Sequence, residues 1–142
     1  MEKNQICIPN PEATDPDAEP KVTHDLVRIS EFKCLKNLKV RYNQIHRFPS
    51  AEKFAKLEFL NVEFNDITDA RIITDISKMP MINNIRILKN PIADKETTRH
   101  IRNRCVGEMR NLTVMNGSEI SKYQRRDYEI YYLRWVFHEY FR

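Results

Sequence analysis

The most reactive side chains in this chain are scattered. His24, His46, His100 and His138 stand alone, and Cys7, Cys34 and Cys105 form neither a Cys-x-x-Cys pair nor a cluster with histidine. Zinc sites and several hydrolase and kinase sites announce themselves by short, fixed motifs, and the sequence has no His-Glu-x-x-His, no Cys/His cluster, no Gly-x-Ser-x-Gly and no kinase signature. With only Gly107 and Gly117, it cannot build a glycine-rich loop to cradle phosphates. Acids such as Glu63 and Asp66 lie close together, but on turns where carboxylates are ordinarily solvated. The chain therefore reads as non-enzymatic, with no catalytic residue, cofactor or metal. The chemistry it offers is recognition. Lys39, Arg41, Phe59, Asn61, Glu63, Arg86 and Leu88 fall on alternating positions of short segments, with Tyr42 and Phe64 just beyond. That mixture of arginine and aromatics is enriched where proteins grip one another.

A repeat holds these side chains in rows. Leu35-x-x-Leu38-x-Val40-x-x-Asn43-x-Ile45 is followed by Leu57-x-x-Leu60-x-Val62-x-x-Asn65-x-Ile67, then by Ile82-x-x-Ile85-x-Ile87-x-x-Asn90-x-Ile92. The copies are 22 and 25 residues apart, the period of leucine-rich repeats. The aliphatics at the fourth and sixth positions alternate inward from a short strand, and the asparagine amide caps backbone where the chain turns away. One copy cannot bury its apolar face alone, so stacked copies share a core. The expected fold is α/β: a right-handed leucine-rich-repeat solenoid with about four short parallel strands on its concave face and a C-terminal capping helix. A fourth strand with Leu112 and Val114 inward would complete outward columns of Asn37, Phe59, Asn84 and Asn111, then Lys39, Asn61, Arg86 and Thr113, then Arg41, Glu63, Leu88 and Met115.

The connecting segments are expected on the convex side. Residues 50–56 have room for about two helical turns with Phe54 buried, and 69–78 place Ile72, Ile73 and Ile76 on one helical face. Ile101, Cys105 and Met109 recur every four residues in a helix over 97–109, which makes Cys105 a core residue. Ser121-x-x-Gln124 opens a last helix over about 122–140. Its segment 122–135 is expected to lie across the last strand, with Trp135 near Leu112 and Val114. Seven aromatics crowd residues 128–141, more than a cap needs, so Phe137, Tyr140 and Phe141 form a second candidate surface. At the other end either Ile6–Ile8 or Val22–Phe32 must cap the repeats, and the helical spacing of Leu26, Ile29 and Phe32 favours the latter. Residues 1–21 read as an extended or disordered acidic segment, and 22–142 as the repeat domain with 97–142 as its cap.

Charge divides along the same line. The first 20 residues carry one lysine against five acids, so a chain of net +4 leaves about +8 on the remainder, which suits an acidic partner. An odd number of cysteines without pairing spacing fits reduced thiols in the cytosol or nucleus. There is no 18-residue apolar run and no apolar leader, so no membrane contact is expected.

One stretch carries a more specific likeness. Ile85-Arg86-Ile87-x-x-Asn90-Pro91-Ile92, then Val114-x-Asn116-Gly117-Ser118-Glu119-Ile120-Ser121, then Arg125 and Glu129-x-x-Tyr132-Leu133, resemble the end of the leucine-rich-repeat region in the tubulin-specific chaperone E (tubulin folding cofactor E) family. The likeness covers roughly residues 24–135, without the CAP-Gly and ubiquitin-like domains of that family, as in a truncated form, a fragment or a reduced paralogue. It implies binding of tubulin, chiefly its α-subunit, in heterodimer folding or dissociation, and a cytoplasmic, cytoskeleton-associated location. Two other classes remain open: a generic repeat adaptor for a phosphatase or an axonemal motor, and a spliceosomal subunit resembling the U2 A-prime protein. Nucleic acid enters only in the last, through an RNP partner.

Overall fold

The computed structural model describes residues 5–7, 33–48, 50–95 and 97–141. Among them six short strands form one sheet in sequence order: β1 (Gln5–Cys7), β2 (Asn37–Lys39), β3 (Phe59–Asn61), β4 (Asn84–Arg86), β5 (Val114–Met115) and β6 (Ser118–Glu119). The first five are parallel neighbours, with Asn37, Phe59, Asn84 and Val114 in one register row. The strands form where a single aliphatic can be buried between two outward residues: Leu38, Leu60 and Ile85 are inaccessible to solvent. Val40, Val62 and Ile87 extend that buried face one position past each strand.

The chain leaves each strand through a left-handed residue, Tyr42 (φ 57°), Phe64 (φ 55°) or Lys89 (φ 60°). This conformation turns the preceding carbonyl back toward the asparagine that follows. Asn43, Asn65 and Asn90 are all buried, as the repeat requires, and donate to the carbonyls of Arg41, Glu63 and Leu88 at 2.9, 3.1 and 3.2 Å. The rungs also interlock. Asn65 Nδ2 donates to Val40 and Val62 carbonyls at 2.9 Å each, while its Oδ1 accepts from Ile45 N at 3.1 Å. Asn90 Nδ2 donates to Val62 and Ile87, and its Oδ1 accepts from Asn65 N and Ile67 N.

Behind the sheet lie a 3₁₀ turn (Ala51–Lys53) and the helices α1 (Arg71–Ser77), α2 (Ile92–Lys95) and α3 (Thr98–Glu108). Phe54 meets Phe48 edge-on at 5.5 Å in the core. Ile72, Ile73 and Ile76 of α1 are buried as their spacing predicts, and so are Ile101, Cys105 and Met109. Burial first, and the Glu108 carboxylate second, push the Cys105 thiol up to about 12. Asp75, on α1, reaches the preceding repeat. It accepts two bonds from the Arg47 guanidinium, at 2.8 and 2.9 Å, and one from Phe48 N at 3.1 Å. Burial raises its pKa, but these donors outweigh that and hold the carboxyl below its ordinary value.

Gln5–Cys7, which overlaps the less favoured cap candidate Ile6–Ile8, adds a parallel edge strand beside Asn37–Lys39; the helix expected over Val22–Phe32 lies outside the described residues. At the other end the inward aliphatic of the last parallel strand is Met115, opposite Ile85, and Val114 pairs with Asn84. The proposed columns therefore fail at their fourth members, Asn111, Thr113 and Met115. The chain reverses at Asn116 (φ 53°) and Gly117 (φ 81°), the residue pair favoured in a two-residue hairpin, so the strand stops before a sixth-position aliphatic. β6 then pairs antiparallel with β5 and covers its edge.

The last helix, α4 (Lys122–Tyr140), starts at the expected reciprocal cap between Ser121 and Gln124. It packs along α3, however, and not across the last strand. Trp135 lies 5.2 Å from the His100 ring, with Arg104 over its face, and of α4 only Tyr128 packs on the core, with Ile120 just ahead of the helix. The fit depends on Gly107, where a Cβ would come within 2.7 Å of Tyr132 Cβ and collide with its ring. Arg125 reaches the carbonyls of Val106, Met109 and Leu112, ending α3 with a cation as helix C-termini favour.

Candidate functional site

The outward sheet face carries most of the residues expected there. Lys39 and Phe59 are half-buried strand residues, and Arg86 is exposed. Asn61 is not available, because it is buried and its Oδ1 accepts from Glu63 N at 3.0 Å. This side chain satisfies its own turn and leaves the candidate surface.

The turns after the strands bring the remaining residues together. Tyr42 and Phe64, in equivalent left-handed positions, stack with ring centroids 4.5 Å apart and planes 17° apart. The Arg41 guanidinium lies over both, 5.2 and 5.3 Å from their centroids, and meets the Glu63 carboxylate at 3.6 Å. Such contacts order a long side chain that would otherwise be mobile. Beside Phe64 a shallow hollow is lined by Leu88, Lys89, Pro91, Ala93 and Asp94. Lys39, Arg86 and Lys89 make no ion pair among the described residues; Lys89 lines the hollow beside Phe64, while Arg86 reaches toward Gly117.

Sequence periodicity placed Tyr42 and Phe64 beside the face without revealing that they stack. The available signal was their shared place, one residue ahead of each repeat asparagine, where Lys89 occupies the third copy. The second candidate surface is open: Phe137, Tyr140 and Phe141 are exposed, and Phe137 stacks on Phe141 at 4.9 Å. Among the described residues no group of His, Cys, Asp and Glu is arranged to hold a metal ion, and no helix is long and apolar enough to cross a membrane.

Repeated strands, asparagine-stapled turns and an ordered aromatic–cationic face define a leucine-rich-repeat fold with a surface suited to protein contacts. The chain is similar to the Arabidopsis thaliana protein "Tubulin-folding cofactor E", at 28% identity over 123 residues; these are 79% of this chain and 23% of that protein, so the chain spans about a quarter of its length. Among solved structures it resembles a chain of the Drosophila melanogaster SNF/U2A′ complex, with a TM-score of 0.63 and 17% identity over 70% of this chain and 57% of that one. It also resembles leiomodin-1 actin-binding site 2, with a TM-score of 0.56 and 14% identity over 94% and 80% of the two chains. No protein-family model matches the sequence.

Proposed function

We propose that this chain is a protein-binding repeat module whose sheet face docks an acidic partner, tubulin through its α-subunit, in folding or dissociation of the heterodimer. On this reading the sheet is the concave side of a right-handed solenoid, since parallel neighbours joined by segments on one side take that hand. The observation that carries it is the platform of Arg41 on stacked Tyr42 and Phe64, with Lys89 in the adjoining hollow and Lys39 and Arg86 on the neighbouring strands. Aromatic and arginine anchors supply most of the energy in protein interfaces, and the surplus positive charge steers an acidic surface toward them. The likeness to a tubulin-folding cofactor supports the choice of partner, and a cytoplasmic, cytoskeleton-associated location follows from it.

The test is capture of purified tubulin dimer by the immobilised chain over a range of salt. Arg41→Glu combined with Arg86→Glu should weaken capture about tenfold or more and flatten its salt dependence. Capture unchanged by that pair would refute the placement. The likeness to a chain of the SNF/U2A′ complex favours a second reading, an RNP subunit that holds an RNA-binding protein on the same face. A lysate pull-down yielding RNP proteins in place of tubulin would select it.

A further inference from the structure

The last helix has two faces of similar spacing. Arg125, Tyr128, Tyr132 and Trp135 look onto α3. On the opposite side Tyr123, Arg126, Ile130, Leu133, Phe137 and Tyr140 recur at alternating steps of three and four residues. All six are exposed, and none of the helix's 19 residues is fully buried. Steps of three and four keep a stripe on one side of a slightly underwound helix, the pattern by which two helices interlock. In heptad terms Tyr123, Ile130 and Phe137 take position a, and Arg126, Leu133 and Tyr140 take d. The residues against α3 take c and f, away from the seam, so the folded domain leaves the stripe open.

The flanks of the stripe identify what covers it. Positions g are Lys122, Glu129 and Val136, and positions e are Asp127, Arg134 and Phe141. In a parallel pair each g residue meets the e residue five places on in the other helix. Between two copies of this chain that gives Lys122 with Asp127, Glu129 with Arg134 and Val136 with Phe141, two opposite-charge pairs and one apolar pair; Arg126 would face Arg126 of the other copy at the first d position, so close packing starts at Ile130. Lys122, Asp127 and Arg134 make no ion pair among the described residues, whereas Glu129 is shared with Arg125 at 3.0 Å. An antiparallel pair centred on the apolar stretch would set Arg134 against Arg134 of the other copy. The hollow lined by Leu133, Arg134, Phe137, His138 and Phe141 lies on the same side. We propose that α4 pairs in parallel with α4 of a second copy of this chain, through Ile130, Leu133, Phe137 and Tyr140. The apolar seam is short, so the pair is weak and concentration-dependent.

Sedimentation equilibrium of the intact chain from about 10 to 500 µM should show a monomer–dimer equilibrium in the micromolar range. Leu133→Arg should abolish it without lowering the melting temperature, because Leu133 touches solvent and not the core. Arg134→Glu and Glu129→Lys should each weaken association about tenfold alone, and an equimolar mixture of the two should restore it. With Cys7 and Cys34 changed to serine, Leu133→Cys should cross-link on mild oxidation, since like d positions face one another only in the parallel pair. A chain that stays monomeric to 500 µM, or a dimer indifferent to Leu133→Arg, overturns the proposal. A persisting dimer without the Leu133→Cys cross-link overturns the parallel arrangement.

Discussion

Replacing a repeat asparagine by leucine keeps the volume and removes the amide, and the bonding pattern predicts unequal costs at Asn65 and Asn90. Losing the Asn65 amide does not strand the Val40 or Val62 carbonyls, because Asn43 and Asn90 also donate to them. The half-buried Glu63 carbonyl can turn to water. What is orphaned is one buried N–H, that of Ile45, which lies 3.1 Å from Asn65 Oδ1. A buried donor without a partner costs about 1–3 kcal/mol, so Asn65→Leu should cost about 2 kcal/mol. Asn90 Oδ1 serves two buried donors, Asn65 N at 3.0 Å and Ile67 N at 3.3 Å. Asn90→Leu should then cost about 4 kcal/mol. At about 3 °C per kcal/mol for a domain of this size, the melting temperatures should fall by about 6 °C and 12 °C. Thermal melts followed by far-ultraviolet circular dichroism, with urea titration as a check, measure both. If Asn90→Leu melts at or above Asn65→Leu, the counting of shared acceptors is wrong.

Asp75→Ala should cost about 2–3 kcal/mol at neutral pH, because it leaves Phe48 N–H buried without an acceptor, whereas Asp75→Asn can still accept that bond and should cost less; urea titrations of both check the order. The folded-state pKa of Asp75 lies below its unfolded value near 3.8, so its stabilisation is present above pH 4 and is lost as pH falls through the depressed value. Acid titration of Asp75→Asn should therefore lack that part of the slope. Gly107→Ala would favour an isolated helix by about 1 kcal/mol, but the collision with Tyr132 should reverse the sign and destabilise by about 1–3 kcal/mol. A stabilised variant in thermal melts would mean that α4 does not sit this closely on α3. Alkylation of the native chain should modify exposed Cys34 and spare Cys105, checked by peptide mass mapping.

Three copies of one pattern made β2, β3, β4 and the asparagine turns legible, because the four aliphatic positions and the asparagine are buried in every copy. The fourth copy was misread for a physical reason. Leu112 matches the first repeat position and Met115 the fourth, but Gly117 stands where the sixth aliphatic should be, so Leu112 and Val114 passed as the alternating pair. Gln5–Cys7 offers only three residues in a proline-rich stretch, and its strand exists because β2 presents an open edge. The orientation of α4 was hidden because both its faces carry large side chains at helical spacing. The choice is made by Gly107 and by the arginines of α3, which meet Tyr128, Tyr131 and Trp135. Of the candidate sheet face, Arg41, Tyr42, Arg86 and Leu88 are exposed as their positions suggest, Lys39, Phe59, Glu63 and Phe64 are half-buried, and Asn61 is lost because its short amide closes on its own turn.

Tyr42, Phe64 and Lys89 hold a backbone shape that side chains with a Cβ adopt at a cost of about 1–2 kcal/mol each. The asparagine donating to the carbonyl ahead of each one stabilises that shape, so none of the three can relax without breaking a rung. Their side chains leave the corner of the sheet in a fixed direction, and two of them already lean on each other. A partner meeting this row therefore finds anchors whose freedom was surrendered when the chain folded. Immobilising a flexible side chain on binding usually costs about 0.5–1.5 kcal/mol, so the two stacked rings spare a complex about 1–3 kcal/mol of ordering, whereas the exposed Lys89 side chain still has to be stilled. Residence time on this corner would then be governed less by how many contacts form than by how little has to be brought to rest when they do.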